Sequence, residues 1–272
     1  MKKMILTLSE TKTKKYLLVS LAASAFGIIV TNLIEKELVI LFTNIIITPI
    51  AATVLTLSII MSIRSGVTGS HGKAWIFFTI FIALWFVAET IWLVDEIIYQ
   101  QEPFPSEADF FWLPGYAFYL VFSVFYIKPV KKAISKKIIL FATLVSIAIL
   151  IPTIYFAILS DSEISQFEFV IASSYPIMDS VSLIPSLIGV ILFFKGKVNF
   201  LLSLLFLGML CSALTDIGFL FLQLHGSYYT GHPVDILYVW YYLLFLFGIL
   251  HHINLFKSRD KETMFHDQES LR

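Results

Sequence analysis

Apolar residues run along this chain in eight stretches separated by short polar joints. A bilayer core about 30 Å thick is crossed by roughly 20 helical residues at 1.5 Å each. Stretches of that length fall at 16–34, 38–63, 74–94, 110–127, 138–159, 171–194, 200–224 and 234–253. The pattern predicts an all-α polytopic membrane protein of eight transmembrane helices. It divides into an N-terminal segment 1–15, a membrane domain 16–254 and a polar tail 255–272. Pro49, Pro176 and Pro185 fall inside predicted spans, where a missing N–H either kinks the helix beside a cavity or adjusts packing.

Composition agrees with this pattern. Hydrophobic residues make up 58% of the 272, charged residues 14%, and mean hydropathy is +0.86, outside the range of a water-soluble domain. The lipid bilayer is thus the expected surrounding. Charge adds an orientation. Of the 19 Lys and Arg residues, all but Lys36 fall on one side of the eight runs, in the joints around Lys12 to Lys15, Arg64, Lys73, Lys128 to Lys137 and Lys195, and at the termini. Cytoplasmic flanks retain positive charge, so both termini are expected in the cytoplasm of a cell-membrane protein. The other joints are acidic, with Glu35, Glu37, Asp95, Glu96, Glu102, Glu107, Asp161, Glu163 and Glu168. Ala23-Ser24-Ala25 in the first run imitates a signal-peptide cleavage site, but the run continues nine residues further, which suits an anchor. The single cysteine, Cys211, allows no intramolecular disulfide.

The two halves of the chain resemble each other. At an offset of 126, Asp109, Trp112, Tyr116, Tyr119 and Leu120 fall on Asp235, Tyr238, Tyr242, Phe245 and Leu246. At 127, Glu89 falls on Asp216 and Pro49 on Pro176. Two four-helix repeats, about 16–132 and 136–254, are therefore expected. An even number of spans makes them parallel, about an axis along the membrane normal. Chance alignment of apolar segments is the alternative, and the acidic pairings carry the case against it.

Carboxyl groups inside hydrocarbon cost at least about 2.5 kcal/mol each and face a bundle interior or water. Glu89 lies roughly 7 Å inside its predicted helix, and Asp179 and Asp216 roughly 12 Å inside theirs, all toward the acidic side. Asp109 and Asp235 begin helices four and eight, where capping of free N–H groups is the expected role. With no Lys or Arg at that depth, the set predicts an outward-opening pocket for a small cation, a proton or a hydrogen-donating ligand. Its expected lining is Glu89, Trp92, Asp109, Trp112, Tyr116, Tyr175, Asp179, Asp216, Asp235, Tyr238 and Tyr242. The competing reading makes each carboxyl neutral interhelical glue. His225, His232 and Asp235 are near enough in sequence to suggest a metal, but their spacing matches no compact ligand motif. No catalytic triad, phosphate loop or nucleic-acid signature appears, and no catalytic residue or cofactor is assigned.

The stretch AETIWLVDEIIYQQEPFPSEADFFWLPGY, followed by SSYPIMDSVSL, LTDIGFLFL and DILYVWYYLLF, resembles the multispanning sensory region that precedes diguanylate cyclase and histidine kinase domains in bacterial signalling proteins. The matching positions are Glu89 and Trp92, Pro103 to Asp109 with Trp112, Gly115 and Tyr116, then Tyr175, Pro176 and Asp179, then Asp216. Glu89 stands where that family usually has Asp. The resemblance implies sensing. The polar tail from Lys257 is too short for an enzyme domain, so a signal would pass to a separate cytoplasmic protein. A small ion-coupled transporter and a membrane-embedded lipid hydrolase are the rival readings.

Overall fold

The structure, a computed structural model, describes the backbone of residues 2–101, 104–160, 165–196 and 200–270, and the side chains of 11–101, 104–160, 165–196 and 203–253. Glu102, Pro103, Asp161, Glu163, Lys197 and Arg272 lie outside the described residues, as do the side chains of Lys257, Arg259 and Lys261. Eight long helices make up the fold: α1 (Lys2–Ile34), α2 (Lys36–Ser65), α3 (Gly69–Leu93), α4 (Asp109–Ile127), α5 (Lys136–Leu159), α6 (Gln166–Phe194), α7 (Phe200–Leu224) and α8 (Ile236–Ser270). All eight are long and apolar enough to cross a membrane.

Three boundaries differ from the sequence reading, the first at α1, which begins at Lys2 rather than at residue 16. The chain past α3 does not leave the helix at residue 94 but runs on through a π-helical turn, Val94–Ile98, so Asp95 and Glu96 belong to the helix rather than to a joint. At the other end of the chain, α8 continues through the polar residues to Ser270, because polarity alone does not stop a helix that lacks Gly or Pro. Local signals fit elsewhere. Ser135 caps α5 by accepting from the Ile138 N–H, and Ser165 with Glu168 forms a capping box at α6. Pro49, Pro114, Pro152, Pro176 and Pro185 all lie within helices.

Neighbours in sequence pack as antiparallel pairs, α1 on α2, α2 on α3, α3 on α4, and likewise α5 on α6, α6 on α7, α7 on α8. The two halves meet where α2 and α1 pack on α8 and where α4 packs on α6. Close approach is bought with small residues. A Cβ on Gly115 would sit 2.5 Å from the Trp85 indole nitrogen, and one on Gly189 would sit 2.2 Å from Phe206. α6 buries Ala172, Ser173, Ser180, Ser182, Ser186 and Gly189 against its neighbours, while Ile177, Met178 and Val181 face outward.

Aromatic rings fill the centre. Along one face of α3, Trp75, Phe78, Phe81 and Trp85 touch in an unbroken series, each pair edge to face. Phe122 of α4 and Phe245 of α8 close on Phe78 from either side. At the end carrying the Lys-rich joints, Trp75 donates to His71 Nε2 at 3.2 Å, and Tyr126 and His252 Nε2 are hydrogen-bonded at 2.8 Å. At the other end, the joint between α7 and α8 is tied back to α1 by Asn32, which donates to the Gly231 carbonyl at 2.7 Å and accepts from Tyr229 at 2.9 Å.

Candidate functional site

The carboxyl groups gather where α3, α4, α6, α7 and α8 face one another. Tyr116, on the turn of α4 after Gly115, has its hydroxyl 3.0 Å from Asp179 Oδ1 on α6 and 2.7 Å from Asp216 Oδ2 on α7. A phenol carries a single hydrogen, so it donates to one of these oxygens. The other contact needs a hydrogen from elsewhere: a proton on either carboxyl, or a donor entering the site. Tyr238 donates to the remaining oxygen of Asp216 at 2.6 Å. Asp179 Oδ2 is buried beside Asp216 with no donor placed on it. Ser212 Oγ, one turn before Asp216, is likewise buried and out of hydrogen-bonding geometry.

Glu89 on α3 is held from the opposite half. Tyr241 and Tyr242 of α8 donate to its Oε1 at 3.1 and 3.0 Å. The bonds cross between halves in both directions, Tyr116 of the first half onto Asp216 of the second and Tyr242 of the second onto Glu89 of the first. Asp109 and Asp235 depart from the capping role. Asp109 accepts from the Tyr175 hydroxyl and from the Ser106 N–H at 2.9 Å. Asp235 accepts from the Gly231 N–H at 2.7 Å and from Tyr228. Both therefore reach back to the preceding joint, because a tyrosine on one side and a loop N–H on the other already satisfy them. Burial beside Asp235 pushes the Tyr228 phenol well above its ordinary value, so it remains a donor.

A cavity of about 70 Å³ opens among these groups. Glu89, Asp109, Asp216 and Asp235 all line it, with Trp85, Trp92, Trp112, Tyr116, Tyr175, Tyr238 and Tyr241. No Lys or Arg is among its lining residues. Since one water needs roughly 10–15 Å³ of such space, the cavity holds several waters or one small charged group. Comparison with family models, with curated proteins and with solved structures finds no match. The site is therefore read from its own geometry.

Of the residues predicted from sequence, Asp179 and Tyr242 are not in the cavity wall. They stand one bond behind it, Asp179 on Tyr116 and Tyr242 on Glu89. The other nine line it. Sequence reasoning missed Trp85, Ser212, Tyr228 and Tyr241. The first two lie four residues before Glu89 and Asp216, on the same helix faces, and that spacing was readable. Tyr228 comes from a joint and gave no periodic signal. The histidines expected near a possible metal are engaged locally: His225 Nδ1 is hydrogen-bonded to the Phe221 carbonyl at 2.7 Å, and His232 Nδ1 accepts from the Val234 N–H.

Proposed function

We propose that this protein is an integral membrane sensor that takes up a small, positively charged ligand from outside the cell and passes the signal to a separate cytoplasmic protein. One observation carries the reading. Four carboxyl groups share one small cavity whose described lining contains no Lys or Arg, and the hydrogen bonds they accept come from neutral tyrosines and backbone N–H groups. A positive, hydrogen-donating guest supplies the charge that the lining lacks. The resemblance of the Glu89-to-Tyr116 segment to bacterial sensory regions supports sensing, and the one-sided distribution of Lys and Arg supports an outward-facing cavity with both termini inside.

The two halves are parallel four-helix repeats. Exchange of one half for the other turns the α2–α8 contact into the α6–α4 contact, and the Tyr116–Asp216 bond into the Tyr242–Glu89 bond. That reciprocity supports the repeat, although the α1–α8 contact has no α5–α4 counterpart of comparable extent.

The test is thermal unfolding of the purified protein in detergent with and without small amines or ammonium. A saturating guest at one hundred times its Kd adds about 2.7 kcal/mol. Wild-type protein should be stabilised by at least one of them, and Glu89→Gln with Asp216→Asn should abolish the gain. If none stabilises it, the reading is wrong. Uptake of the same cation into proteoliposomes would replace sensing with transport, which the intramembrane carboxyls also suit.

Topology is tested separately. Reporter fusions at Lys132 and at the C-terminus should report the cytoplasm, and one at Gln101, between α3 and α4, the exterior. A cytoplasmic signal at Gln101 would overturn the orientation and with it the outward-facing site.

A further inference from the structure

A second, larger chamber lies directly over the acidic cavity. It has a volume of about 330 Å³ and is lined by Lys36, Glu96, Gln100, Gln101, Gln223 and Tyr229 among others. Trp92, Phe104 and Tyr228 line both chambers, so these three rings form the boundary that the two share. They are locked to their surroundings: Trp92 donates to Thr230 at 3.1 Å, and Phe104 and Tyr228 each pack edge to face on Phe219.

The upper chamber is produced by a backbone departure. The π-helical turn Val94–Ile98 inserts an extra residue into the end of α3, and such turns recur at functional sites. It turns Glu96 inward, where Asn44 donates to it at 2.7 Å. Two residues beyond the turn, Gln100 takes a left-handed φ of 52°, which non-glycine residues rarely adopt. Gln100 and Gln101 are exposed and lie at the rim.

The chambers differ in chemistry. The lower one offers acceptors: four carboxyls and the buried Ser212 hydroxyl beside Asp216. The upper one offers amides, with one charge of each sign in Lys36 and Glu96, and Lys36 Nζ lies over the Tyr229 ring at 4.8 Å. A carboxylate-lined space of about 70 Å³ suits an ammonium head with several N–H donors. A trimethylated head is bulkier and donates nothing. A guest that reaches across this boundary lies against the Trp92, Phe104 and Tyr228 rings, which favour the same positive charge. Glutamine amides both donate and accept, and they match a neutral tail bearing amide or hydroxyl groups.

We infer that the ligand is a primary organic amine whose ammonium head occupies the acidic cavity and whose neutral polar tail lies in the upper chamber among Gln100, Gln101 and Gln223. This rests on the cation-binding reading above and narrows it.

Four probes separate the parts: glycinamide carries head and tail, ammonium only the head, acetamide only the tail, and tetramethylammonium charge without N–H. Binding to detergent-purified full-length protein is read by calorimetry and by thermal shift. Glycinamide should bind at least tenfold more tightly than ammonium or tetramethylammonium, and acetamide should not bind. The double variant Gln100→Ala with Gln101→Ala should weaken glycinamide about tenfold and leave ammonium unchanged. Glu89→Gln should weaken both. Equal affinity for glycinamide and ammonium, unchanged in the glutamine variant, overturns this inference and leaves the cation reading standing. Tetramethylammonium binding as tightly as glycinamide overturns the primary-amine head. Absence of binding by every cation overturns both readings together.

Discussion

Tyr116→Phe should destabilise the protein more than any other single loss of a tyrosine hydroxyl. The change removes one oxygen, yet that oxygen serves carboxyl groups on two helices, Asp179 on α6 and Asp216 on α7. Both are buried, and of the two only Asp216 keeps another tyrosine donor, Tyr238. Stranding a buried acceptor costs about 1–3 kcal/mol, and more when it is charged. Losing the one hydrogen that this buried pair of carboxyls draws on should cost about 3 kcal/mol. Tyr119→Phe is the matched control. Tyr119 is equally buried on the same helix, but its hydroxyl meets only neutral serine hydroxyls, Ser186 at 2.7 Å and Ser123 beside it, so its loss should cost about 1 kcal/mol. Thermal midpoints in one detergent decide between them. Equal shifts for the two variants would mean that the bridge contributes nothing beyond an ordinary hydrogen bond.

Gly115→Ala should damage the site from a distance. The added methyl would lie 2.5 Å from Trp85 Nε1, and that indole has nowhere to go. It donates to the Trp112 carbonyl at 3.1 Å and is packed edge to face on Phe81, Tyr116 and Tyr241. Overpacking of this kind costs about 1–3 kcal/mol. Because Trp85 and Trp112 both line the acidic cavity, the amine-induced gain in thermal midpoint should also fall. Ala117→Leu, two residues along and facing outward, adds more volume and should change neither quantity. If Gly115→Ala behaves like Ala117→Leu, Trp85 is free to move and the cavity wall is softer than its contacts imply.

Much of this arrangement is written in the chain. Eight apolar runs are visible because nothing interrupts them, and Glu89, Asp179 and Asp216 stand out because carboxyls in such runs are costly. Tyrosines at Tyr116, Tyr238 and Tyr242 follow from helix periodicity, since residues three, four and seven apart share a face. What periodicity does not convey is who meets whom across the halves. Glu89 finds its two donors more than 150 residues away, and only packing of α8 beside α3 brings them together. Backbone donors are harder still. The Gly231 and Ser106 N–H groups that hold Asp235 and Asp109 carry no residue identity, and so helix capping was the natural expectation for both carboxyls. The π-helical turn was hidden for a related reason: the residues that form it, Val94 to Ile98, read equally well as a frayed helix end or as a joint.

The ring series along α3 also gives this protein a built-in optical reporter. Trp85 and Trp92 border the acidic cavity, whereas Trp75 sits at the opposite end of the same helix beside His71 and His252. An ammonium ion arriving below Trp92 places a charge against three indoles, Trp85, Trp92 and Trp112, while Trp75 and Trp240 lie outside the cavity wall, so binding should shift part of the intrinsic emission and spare the rest. Trp75→Phe would then sharpen the shift and Trp85→Phe would blunt it, which lets occupancy of the cavity be followed in intact membranes with no label attached.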